Sequence, residues 1–226
     1  MNLLRIIILI IIIILILFKL QKFKYNIDIK KRKDIPTNIR LPILYKLMEI
    51  VGKISNLSQT KPFILYGTLL GYARDKNIIC YDFDLDYGII SNEYNIFKNN
   101  LNQILQNYPG YKVYYEERFG YRKIVIEHIE TSLNADIFEF VMNEKYIKRN
   151  TPFWVSLYIY KECRASYPID WILPLKTGIM NGNNIYIPNK YDSLLKCFYG
   201  PGYINPDTVC DIECNKCVKI KKNKIN

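Results

Sequence analysis

Tyr66-Gly67-Thr68-Leu69-Leu70-Gly71-Tyr72-Ala73-Arg74-Asp75, followed shortly by Tyr81-Asp82-Phe83-Asp84-Leu85-Asp86-Tyr87-Gly88, decides how this chain is read. The first run leaves a short apolar stretch, 63–66, and reads as a helix opening on Gly67-Thr68. In the second run acids recur at alternate positions, Asp82, Asp84 and Asp86. Strand side chains alternate faces, so the spacing predicts three carboxylates on one side of a strand. Like charges so placed repel and bring no packing gain unless a hard cation sits between them. Mg²⁺ or Mn²⁺, held by carboxylates and phosphate oxygens, is the usual form. A further candidate ligand, Asp136, lies in the apolar run Asn134-Ala135-Asp136-Ile137-Phe138, expected to form a strand beside the first. The competing reading is an acidic edge strand that deters aggregation. A bare Asp84-x-Asp86 does not separate the two. Gly67-Thr68 upstream and Asp136 downstream favour the metal.

A helix that starts at Gly67-Thr68 offers backbone N–H groups and the positive end of its dipole to a phosphate. Arg74, near that helix's end, is a candidate to pair a phosphate oxygen; an ordinary strand-to-helix turn with a surface arginine is the alternative. Around this segment, Leu41, Leu44, Tyr45, Met48, Val51 and Ile54 recur at three- and four-residue spacings, predicting a helix over 38–58 capped by Thr37 or Asn38. Strands are expected at 78–80, 83–90, 111–117, 121–128 and 134–141, and a helix after Ser91. Beyond Thr151 six prolines predict an irregular stretch, broken by one short helix near 191–198. That order implies an α+β domain with a mixed sheet.

Two further blocks complete a pattern: Ile172-Leu173-Pro174-Leu175-Lys176, then Ile187-Pro188-Asn189-Lys190-Tyr191 with Leu194-Leu195-Lys196-Cys197-Phe198-Tyr199-Gly200. With the two opening runs, these residues resemble the LicD/fukutin family over roughly 60–206. The phenylalanine within Asp82-Phe83-Asp84 is similar to the fukutin branch more than to the bacterial phosphocholine transferases. The resemblance implies a nucleotidyltransferase-like mixed sheet with flanking helices. It further implies metal-dependent transfer of a phospho-alcohol, such as ribitol phosphate or phosphocholine, from a CDP donor to a glycan hydroxyl. Carried across, Asp84 and Asp86 hold Mg²⁺ or Mn²⁺ with Asp136 as third carboxylate. Asp82 supports them or serves as base for the acceptor hydroxyl, and Arg74 and Lys176 neutralise donor phosphates. Cys80-Tyr81 stands where the family often has Pro-Trp, and Lys190 where asparagine is frequent. The rivals are a nucleotidyltransferase that makes the activated donor and a non-catalytic glycan-binding relative. With His128 the sole histidine, no Ser–His–Asp triad competes.

Residues 3–20 read LLRIIILIIIIILILFKL, with Arg5 and Lys19 the only charges. As a helix this run is about 27 Å long, close to the hydrocarbon thickness of a bilayer. No small-residue cleavage site follows, so an uncleaved anchor over 1–20 is expected rather than a signal peptide. The formal net charge of +11 would suit nucleic acid, but it is unevenly placed. Residues 1–34 carry +6 and 216–226 carry +5, which leaves 35–215 neutral. A neutral core argues against nucleic acid, and the basic linker 21–37 below the anchor fits lipid head groups. The domain is placed at 38–209, with a cysteine-containing basic tail at 210–226.

The positive-inside rule puts the domain in the cytoplasm, whereas the fukutin branch implies the ER or Golgi lumen; both orientations stay open. Cys80, Cys163, Cys197, Cys210, Cys214 and Cys217 admit disulfides, a zinc clasp or free thiols. Asn56-Leu57-Ser58 is a glycosylation sequon usable only in a lumen.

Overall fold

The computed structural model describes residues 6–7, 12–13, 31–32, 34–118, 121–150, 166–206, 208–210 and 217–219. Met1–Ile35 and Pro36–Asn226 form separate units. In the first, Ile6-Ile7, Ile12-Ile13 and Lys31-Arg32 are helical, and Ile7, Ile12 and Ile13 are exposed. The rest of the expected span lies outside the described residues. Among the described residues, no helix is long and apolar enough to cross a membrane.

The second unit opens with α1 (Thr37–Ser58), whose apolar spacing buries Leu44, Leu47, Met48, Val51 and Ile54. The expected cap is not made. Pro36 precedes the helix, and the Thr37 hydroxyl instead accepts a hydrogen bond from Arg40 at 3.2 Å. β1 (Phe63–Ile64), α2 (Tyr66–Asp75), β2 (Asp84–Ile90) and α3 (Ser91–Leu105) follow. Next come β3 (Tyr111–Arg118), β4 (Tyr121–His128), β5 (Asn134–Met142), β6 (Tyr146–Arg149) and β7 (Ser166–Pro168). The chain continues through α4 (Ile169–Ile172), β8 (Lys176–Met180), β9 (Asn183–Ile187) and α5 (Tyr191–Tyr199). It closes on a hairpin of β10 (Thr208–Cys210) and β11 (Cys217–Lys219).

Nine strands form one sheet in the order β3-β4-β5-β2-β1-β9-β8, with β6 joined to β5 and β7 to β6. The β2/β5 and β1/β9 pairs are parallel and the other ladders antiparallel. This is the α+β class with a mixed sheet and flanking helices that the sequence implies. Alternation sorts its faces. Glu139 of β5 meets Ser91 of α3, so Ala135 and Ile137 point to the helical side while Asp136 and Phe138 point away. Ile124, Ile126, Leu85 and Ile89 are fully buried, each worth about 1.5–3 kcal/mol of apolar transfer.

Two expectations are corrected. Residues 78–80 form a turn-containing connection rather than a strand, and β2 starts at Asp84, so Asp82 lies off the strand. The stretch expected to be irregular also contains the hairpin β8–β9, closed by Asn181 and Gly182 at φ +47° and +75°. Both centres of a two-residue hairpin turn need positive φ, which an Asn-Gly pair adopts with little strain.

Candidate active site

The site is built where β2 and β5 run parallel. Asp86 stands opposite Asp136, and Asp84 opposite Asn134. This pairing sets Asp84, Asp86 and Asp136 on one face at one end of the sheet. Helix α2 closes the same end: the buried Thr68 hydroxyl accepts the Asp86 backbone N–H at 2.8 Å, and Leu65 N–H donates to the Asp86 carbonyl at 2.9 Å. Asp82 arrives from the connecting loop rather than by alternation. A Cβ on Gly67 would come within 2.7 Å of Asp82 Oδ2, so only glycine allows this approach. Arg40, buried beneath the loop, donates to the Cys80 carbonyl at 2.7 Å and sits in the field of Asp82.

Electrostatics tie the four acids together. Burial, and then the charges of Asp84, Asp136 and Asp82, push the Asp86 carboxyl well above the usual carboxylate range; Arg149 pulls the other way. Asp136 is satisfied on both oxygens: Lys123 lies 3.0 Å from Oδ2, and Asn134 Nδ2 donates to Oδ1 at 2.6 Å. Burial disfavours the Lys123 charge, but Asp136, Tyr121 and Glu116 outweigh it and hold its pKa above the ordinary value. The Arg149 guanidinium stacks 3.6 Å over the Phe138 ring and donates to the Tyr121 hydroxyl. Across the site, burial and then Asp86, Asp82 and Asp84 push the pKa of the Tyr199 hydroxyl up.

Backbone strain marks the same corner. Tyr66, the first residue of α2, has φ +43°, a conformation that costs about 1–3 kcal/mol in a non-glycine residue and clusters at functional sites. Its ring is held against Phe198 and Phe138, at 4.9 and 6.1 Å between centroids.

Gly67, Thr68, Asp82, Asp84, Asp86 and Asp136 are thus brought together. The two expected phosphate cations stand apart from them. Arg74 lies two turns along α2 from Gly67, and among the described residues it has no ion-pair partner. Lys176 begins β8, three strands from β2 at the same end of the sheet, and its ammonium donates to the Asn189 carbonyl at 2.7 Å. Sequence reasoning missed Arg40, Lys123, Arg149 and Tyr199. Only Tyr199 carried a signal, since it falls within the Tyr-Gly segment that resembles the family.

Cys210 and Cys217 are bonded to each other, and Cys80 and Cys197 are each disulfide-bonded. The sulfurs of Cys80, Cys210 and Cys217 lie within 4.8 Å of one another. Sulfurs already bonded in disulfides are not thiolates, so this group is not a zinc clasp. The carboxylates match a hard divalent cation in donor type, being oxygen-only and mutually repelling. Among the described residues, though, no three of them bring oxygens within 4.8 Å of one another, and Lys123 already pairs with Asp136.

The family description "LicD/FKTN/FKRP, nucleotidyltransferase domain" matches residues 60–190, which span the acids and helix α2. The chain belongs to this LicD family, whose membership indicates a transferase. It is also similar to the uncharacterized protein RP689 of Rickettsia prowazekii (strain Madrid E), with 37% identity over 79 residues. That match covers 34% of this chain and 28% of the relative, so the chain spans little more than a quarter of that protein's length.

Proposed function

We propose that this protein is a membrane-anchored transferase that moves a phospho-alcohol, of the ribitol phosphate or phosphocholine type, from a CDP donor to a glycan hydroxyl. The observation that carries the reading is the pairing of Asp86 opposite Asp136, with helix α2 bonded to the Asp86 backbone through Thr68. Asp84, Asp86 and Asp136 hold Mg²⁺ or Mn²⁺. The bound cation supplies charge neutralisation for the donor's diphosphate. Asp82 takes the acceptor hydroxyl's proton as that oxygen bonds to the distal phosphorus. The bridging P–O bond breaks and CMP leaves with its electrons. The start of α2 faces the phosphates, and Arg74 and Lys176 reach the donor from the rim.

The apolar run 3–20 is the anchor, and Lys22, Lys24, Lys30, Lys31, Arg32 and Lys33 lie at the head groups. The flanking charge favours a cytoplasmic domain, but disulfide-bonded cysteines favour an oxidising lumen, as in the ER or Golgi. We weight the disulfides, because cytosolic thiol buffers would reduce them.

The test uses the full chain in detergent. Wild type is expected to release CMP from CDP-ribitol or CDP-choline only with Mn²⁺ or Mg²⁺, and D84N and D86N to release none. No release from any CDP-alcohol by wild type overturns the enzymatic reading. Pyrophosphate release from CTP would instead identify a donor-making nucleotidyltransferase.

A further inference from the structure

We propose that Lys123 is a built-in counter-ion of the acid site, holding Asp136 until the divalent cation arrives and then binding the donor's phosphate. This rests on the metal reading above. Lys123 extends from β4 on the same face as Asp136; only 12% of its side chain is exposed, and its ammonium lies 3.0 Å from Asp136 Oδ2. Its second partner is Glu116 of β3, at 3.2 Å and 43% exposed. A carboxylate oxygen that ligates a divalent cation holds it at roughly 2.1 Å. Cation and ammonium would then crowd one oxygen and repel each other in a setting that water screens little. The ammonium therefore leaves Asp136.

Its flexible four-carbon stem lets it leave without moving β4. With a donor bound, its diphosphate would be the anion available to the freed ammonium. Asp136 keeps its Asn134 hydrogen bond throughout, so the carboxylate stays aimed while its charge partner changes. Competition of this kind is reciprocal: what weakens the metal by occupying Asp136 is itself displaced by the metal.

The experiment measures Mn²⁺ alone by calorimetry, then CDP in saturating Mn²⁺, on the full chain in detergent. Relative to wild type, K123M is expected to bind Mn²⁺ about tenfold tighter and CDP about tenfold weaker, within the usual range of a site–site coupling. K123R, which keeps the charge, is expected to restore both toward wild type. E116Q removes the other partner of Lys123 and is expected to weaken Mn²⁺ binding; it carries the test if K123M fails to fold. Unchanged or weaker Mn²⁺ binding in folded K123M, or unchanged CDP affinity, overturns the inference. Absence of Mn²⁺ binding in wild type would sink the metal reading itself, and so the two failures are distinguishable.

Discussion

The hydroxyl of Thr68 accepts the backbone N–H of Asp86 at 2.8 Å, so the first turn of helix α2 is bonded to the strand that presents the acids. Leaving that buried N–H without an acceptor costs about 1–3 kcal/mol. Thr68→Val keeps the side-chain shape but removes the acceptor, and urea unfolding should show a loss of about that size. Thr68→Ser should recover most of it. Because the bond aims Asp86, Thr68→Val should also weaken Mn²⁺ binding beyond what its loss of stability explains.

Asp86 makes the metal-free domain sensitive to pH. Its folded pKa lies above that of an unfolded aspartate, near 3.9. Between those two values the native state binds more protons than the unfolded state, so stability falls as pH rises through that window. In EDTA, unfolding free energy should therefore decline from about pH 4 upward, and Asp86→Asn should flatten the decline. Mn²⁺ at a hundred times its Kd should add about 2.7 kcal/mol to wild type at neutral pH. A wild type without that gain would contradict the carboxylate site.

Gly67 and Asp82 approach so closely that Gly67→Ala must push the Asp82 carboxylate aside. The atom that yields is the end of a side chain, so folding should survive. Misplacing a reacting group by about 1 Å can cost roughly 100-fold in rate. CMP release by Gly67→Ala should fall by that order while the melting curve stays close to wild type. Equal losses in Gly67→Ala and Asp82→Asn, with no further loss in the double variant, would assign the effect to Asp82.

On the helical face of the sheet Glu139 is 1% exposed and accepts from Arg122, Ser91 and Asn150 at 2.8, 2.6 and 2.6 Å. Arg122→Met leaves that carboxylate without its cation, which costs about 3 kcal/mol or more at a buried pair. Chemical denaturation reads the loss directly. Mn²⁺ affinity should be untouched at native conditions, because this pair lies on the opposite face from Asp136.

Local periodicity made α1, β4, β5 and the helical start at Gly67-Thr68 legible, because each buries one face and shows it in spacing. The convergence of Asp84, Asp86 and Asp136 followed from alternation plus one parallel pairing. Asp82 was read correctly as a neighbour for the wrong reason: it reaches the site through a glycine contact and not through the pleat. Lys123 was hidden because its role comes from the β4/β5 register, a non-local pairing that leaves a polar strand position unmarked. The β8–β9 hairpin was there to be found in Asn181-Gly182, but the surrounding prolines outweighed it.

The β10–β11 hairpin turns an apparently dispensable tail into part of the acid loop's surroundings. Its Cys210 and Cys217 sulfurs lie within 4.8 Å of that of Cys80, which stands two residues before Asp82. A chain truncated after Pro206 would keep Asp82, Asp84, Asp86 and Asp136 and lose this neighbourhood. Production in a reducing host would do similar damage without deleting a residue. The choice of C-terminal boundary and expression compartment thus bears on whether Asp82 is held beside Gly67.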